Sequence, residues 1–66
     1  MNNMNKNVRR LGVVISMVGL SRSTIYLLMA AGEFPKSISL GKRAVGWLES
    51  DIHAWIDSRI TASNAA

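Results

Sequence analysis

A chain of 66 residues with a formal net charge of +4 has room for one small domain with a thin core, and its charge favours a polyanionic partner. It has no cysteine and a single histidine, His53, so disulfides and thiolate zinc sites are excluded and neither metal nor cofactor is expected. It also lacks a nucleophile–base pair, paired carboxylates in a cleft and a phosphate-cradling glycine loop, so it does not read as an enzyme.

Residues 1–8 are polar and rich in asparagine, the composition of a disordered N-terminal arm. Arg9 and Arg10 then precede an apolar stretch, Leu11 to Leu20. This has the outline of a secretory leader, but no A-x-A site follows directly and cleavage would leave too little chain to fold. No run reaches the roughly 18 consecutive apolar residues of a membrane span. A helix fits better, because Leu11, Val14, Ile15 and Val18 recur at i, i+3, i+4 and i+7.

The next stretch organises the chain. Gly19 gives the permissive backbone of a tight inter-helix turn, Leu20 is an apolar peg, and Ser21 is a good N-cap. The helix that follows turns Ile25, Leu28 and Met29 inward and Arg22, Ser23, Tyr26 and Leu27 outward, and Ala31-Gly32 closes it. Pro35 then pushes Phe34 to extended geometry. Ser37–Leu40 alternates polar and apolar like a half-buried strand, Gly41-Lys42 stands where a hairpin turn belongs, and Ala44–Trp47 returns. From Leu48 the period turns helical, with Leu48, Ile52, Trp55, Ile56 and Ile60 on one stripe and Glu49 and Asp51 suiting the first turn. Leu48, Glu49 and Ser50 are all candidates for the cap. Trp47 and Trp55 are expected in the core and His53 on the surface. Residues 61–66 are expected to fray.

The expected class is therefore mainly α with a small β-hairpin, a helix-turn-helix, a hairpin and a closing helix in the order α-α-β-β-α. It spans residues 9–60 between the arm and the tail. Charge follows this division, with seven of the eight Lys and Arg residues but only one acid, Glu33, falling before Leu48.

Several residues carry a family resemblance: Arg10-Leu11, the string Gly19-Leu20-Ser21-Arg22-Ser23-Thr24-Ile25-Tyr26, Gly32, Phe34-Pro35-Lys36, Leu40-Gly41, Arg43 and Trp47. With Asp51-Ile52 and Ala54-Trp55-Ile56, the pattern resembles the AlpA family of small prophage transcriptional regulators over roughly residues 9–60. Its register is also similar to the MerR and excisionase group of winged helix-turn-helix proteins. The resemblance implies a cytoplasmic, nucleoid-associated binder of double-stranded DNA that controls integrase expression or prophage excision. Leu27, Val13 and Ser37 depart from the family pattern, standing where a basic residue, an acid and a second proline are common.

The residues suited to DNA follow from both lines. The first turn of a helix-turn-helix recognition helix touches base edges, and Arg22 there can read guanine through two hydrogen bonds. Ser23, Thr24 and the Tyr26 hydroxyl can donate to phosphate. Lys42 and Arg43, on a wing, would lie over the neighbouring backbone or minor groove, although Arg43 could instead pair with an acid of the closing helix. Arg9, Arg10 and Lys36 complete the basic set. Leu27 can meet thymine methyls. Val13 and Met17, off the helix-one stripe, can form a patch for a second protomer on adjacent sites. Three function classes compete: a sequence-specific transcriptional regulator, an excisionase-like factor that bends attachment-site DNA for an integrase, and a small protein-binding inhibitor. The charge asymmetry favours the two that bind DNA.

Overall fold

The computed structural model describes residues 7–65. The first helix, α1 (Leu11–Val18), ends at Gly19, whose φ of 73° lies in the left-handed region, and the Gly19 N–H donates to the Ile15 carbonyl. A residue with a Cβ is strained there, which is why glycine marks the turn. The second helix, α2 (Arg22–Ala30), starts on Ser21, whose hydroxyl oxygen accepts the Thr24 N–H at 3.2 Å. The bend between the two helices is 91°, as a helix-turn-helix requires. At the far end of α2, the Gly32 N–H donates to the Met29 carbonyl and the Glu33 N–H to that of Leu28. With Gly32 at φ 76°, these two bonds make a Schellman closure.

The strands form one three-stranded antiparallel sheet. The hairpin is β2 (Ile38–Gly41) with β3 (Ala44–Leu48), and the extra strand is β1 (Val8–Arg9), pairing Val8 with Leu48 and Arg9 with Trp47. The order is thus β-α-α-β-β-α rather than the expected α-α-β-β-α. Val8 belongs to the sheet and Asn7 to its junction, not to a disordered arm; residues 1–6 lie outside the described residues. Two residues are too short to display a strand period, and their pairing partners lie some 40 positions away. The hairpin turn is Lys42-Arg43, one position later than expected, because Gly41 pairs with Ala44 across an irregularity between Ser39 and Gly41. Leu48 ends β3 instead of opening the helix.

The closing helix α3 (Glu49–Ala65) runs past the expected boundary at Ile60. Its last turns bury nothing, and Ile60 is exposed. A helix already nucleated against a core extends through its own backbone bonds, which an apolar stripe does not report. The core is Val14 of α1, Ile25 of α2, Phe34 of the loop after α2, Trp47 of β3 and Ile52 of α3. Met17, expected on an outer patch, packs against this core, whereas Val13 is exposed.

Gly46 holds the sheet together by having no side chain. A Cβ there would stand 2.5 Å from a Val8 methyl and 3.1 Å from the Arg9 carbonyl, so any larger residue displaces β1.

Candidate nucleic-acid interface

The outer face of α2 is built as its period predicts. Ile25 is fully buried and Leu28 and Met29 half-buried, which leaves Arg22, Ser23, Tyr26 and Leu27 exposed. Leu27 is, among the described residues, the most exposed large apolar side chain, at 69%. Arg22 and Tyr26, one turn apart, come together, with the guanidinium carbon 5.8 Å from the ring centroid. Thr24 is drawn the other way. It is half-buried, and its hydroxyl lies 3.0 Å from that of Ser21, so it serves the helix start more than the outer surface.

The wing tip presents Lys42 and Arg43, both exposed and, among the described residues, in no ion pair. Arg43 has φ 61°, the one left-handed non-glycine backbone among the described residues. Turns fill such a position with glycine or asparagine, and an arginine there costs roughly 1–2 kcal/mol. Strain of this kind persists only where the surrounding structure, here the pairing of Gly41 with Ala44, fixes the backbone. The alternative of an Arg43 pairing with a closing-helix acid is not what forms.

That pairing goes to Arg9. Its Nε donates to a Glu49 carboxylate oxygen at 3.1 Å, and a second guanidinium nitrogen lies at 3.1 Å as well. The Glu49 N–H, at the start of α3, donates to the Asn7 carbonyl at 2.8 Å. The Arg9 hydrogen bond holds the Glu49 carboxyl below its ordinary value of 4.5. A carboxylate so depressed favours the folded chain above that value and loses its contribution as the pH falls through the folded-state pKa. Arg9, a candidate for DNA, is thus occupied in clasping β1 to α3. Arg10 is exposed beside it, with its carbonyl accepting the Val13 and Val14 N–H groups, and Lys36 is exposed on the loop after α2.

Two indoles tie β3 and α3 to the loop leaving α2. Trp47, on β3, is fully buried and its Nε1 donates to the Pro35 carbonyl at 3.1 Å. Trp55, on α3, donates to the Glu33 carbonyl at 2.8 Å and meets the Phe34 ring edge-on, centroids 4.9 Å apart. The loop leaving α2 is therefore gripped by both. Trp55 is only half-buried, because it packs against this loop rather than deep between α3 and the helix-turn-helix. Arg59 covers its remaining face at 5.5 Å.

Residues 6–60 match the family described as "Prophage CP4-57 regulatory protein (AlpA)". The chain belongs to the AlpA family. This AlpA-family chain is 36% identical over 58 residues to the "DNA-binding transcriptional activator AlpA" of Escherichia coli (strain K12), covering 79% of its own length and 83% of the relative's. It is 51% identical over 51 residues to the "Uncharacterized protein ORF88" of Enterobacteria phage P4, which spans 77% of the chain and 58% of that phage protein. The family match takes in β1, α1, α2 and the hairpin whole, and α3 as far as Ile60. Among the described residues no single helix is long and apolar enough to cross a membrane, and the α1–α2 pair that approaches that composition is the bent helix-turn-helix itself.

Proposed function

We propose that this AlpA-family protein is a sequence-specific double-stranded-DNA-binding transcriptional regulator of a prophage or integrative element. It works as a winged helix-turn-helix of the MerR and excisionase type. In this reading α2 enters the major groove and the Lys42-Arg43 tip lies on the adjacent backbone or minor groove. The observation that carries it is the outer face of α2. A fully buried Ile25 fixes which way the helix faces, and a basic, hydrogen-bonding first turn is left outward on a chain of net charge +4. The name of the Escherichia coli relative agrees with it.

Arg22 reads a guanine, Ser23 donates to phosphate, and Lys42, Arg43, Arg10 and Lys36 supply phosphate charge. Leu27 contacts a thymine methyl in place of a charged contact. Arg9 is set apart, since Glu49 already holds it.

The test compares a duplex selected by the protein from a randomised pool with a scrambled duplex of the same composition. Arg22→Ala should cost about 1–3 kcal/mol on the selected duplex and much less on the scrambled one. Equal losses on both would leave Arg22 as a phosphate contact and remove base reading from the first turn of α2.

A further inference from the structure

We propose that Tyr26 is a positioning residue. Its ring, not its hydroxyl, holds the Arg22 guanidinium in the attitude that reads a base. This deepens the assignment of α2 as the reader and rests on it. An exposed arginine has a long chain with about 2 kcal/mol of rotamer entropy, and that chain must be ordered on the sequence where its guanidinium makes a fixed base contact, so ordering it beforehand favours that sequence. Arg22 is the first residue of α2, and α2 contains no acid to steady it. Among the described residues its guanidinium meets no carboxylate within ion-pair distance.

What it does meet is the face of Tyr26, one helical turn on, at 5.8 Å from the centroid. That is inside the range where a cation is attracted to an aromatic ring. The spacing is the i, i+4 relation that puts two side chains on one strip of a helix surface. The start of the helix is itself fixed by the Ser21 and Thr24 hydroxyls, so the Arg22 backbone is held as well as its far end. Tyr26 is 40% exposed, which leaves the cation–ring pair open on the outer side of α2. A guanidinium lying on an aromatic ring keeps its in-plane N–H donors available, and those are the groups that meet guanine O6 and N7.

The ring and the hydroxyl make opposite demands on two substitutions. Binding is measured on the selected and scrambled duplexes for Tyr26→Phe, Tyr26→Leu, Arg22→Ala and the double variant Arg22→Ala with Tyr26→Leu. All are first checked for unchanged thermal unfolding, as an exposed site allows. Tyr26→Phe keeps the ring and should match the parent on both duplexes. Tyr26→Leu should lose about two- to fivefold on the selected duplex, the worth of an exposed cation–ring contact, and little on the scrambled one. The double variant should be no weaker than Arg22→Ala alone, because Tyr26 acts only through Arg22.

If Tyr26→Phe falls as far as Tyr26→Leu, the hydroxyl makes the contact and the positioning role is overturned. Additive losses in the double variant overturn it too, since Tyr26 would then contact DNA on its own account. If Arg22→Ala discriminates between the duplexes as well as the parent, the reader assignment itself fails and the positioning role falls with it.

Discussion

The two ends of β3 carry the same kind of residue to opposite purposes. Near Leu48 an arginine is paired within the fold. Arg9 pairs with Glu49, the Asn7 carbonyl accepts the Glu49 N–H, and a two-residue strand is clasped to the start of α3. At Ala44 the turn exposes Lys42 and Arg43 with no carboxylate partner among the described residues, and Arg43 sits in a backbone conformation that disfavours it. A net-charge count treats these cations alike. The structure separates the cation paired with a carboxylate from those left outward without one.

The largest effect is expected at Trp47, one residue from the Leu48 end. Trp47 is fully buried and its indole ties β3 to the Pro35 carbonyl, so Trp47→Ala should lose about 3–5 kcal/mol, most of what so small a domain has. Thermal unfolding would show the chain largely unfolded at room temperature. A folded variant with a modest loss would mean that the wing stands without its link to the loop after α2, and that the two ends of β3 are independent.

A smaller and sharper effect is expected at the tip. Arg43→Gly removes the left-handed strain and should leave the fold as stable as the parent or up to about 1 kcal/mol more stable, while duplex binding weakens. Stability and affinity moving apart at one residue would be hard to obtain if Arg43 were only a turn residue. Unchanged duplex affinity would return it to that role.

How much of this was legible in the sequence depended on the range of the interaction. The helix-turn-helix was readable because its signals are local: the Ile25, Leu28 and Met29 stripe, the Ser21 cap, and glycines at 19 and 32 where the backbone turns left-handed. The Arg22–Tyr26 pair was within reach of the same i, i+4 spacing. What escaped was set by partners far along the chain. Val8 and Arg9 show no period, and only the pairing with Trp47 and Leu48 makes them a strand. Arg9 looked like one more basic residue beside Arg10 until Glu49 was placed next to it. The turn slipped by one position because an irregularity in β2 is invisible to strict alternation. The last turns of α3 carry Thr61, Ala62, Ser63 and Asn64, which give no apolar signal, so the sequence there reads as a tail although it is helical.

The difference between the two ends is tested most directly by the salt dependence of duplex binding for two single variants, Lys42→Ala and Arg9→Gln. Each phosphate contact contributes a log–log slope of about −0.9. Lys42→Ala should therefore flatten the parent slope by roughly one unit with unfolding unchanged. Arg9→Gln should lower the unfolding temperature and leave the slope as it was, because its charge is already spent on Glu49. A flattened slope for Arg9→Gln together with an unchanged slope for Lys42→Ala would place the DNA at the wrong end of β3 and contradict the account.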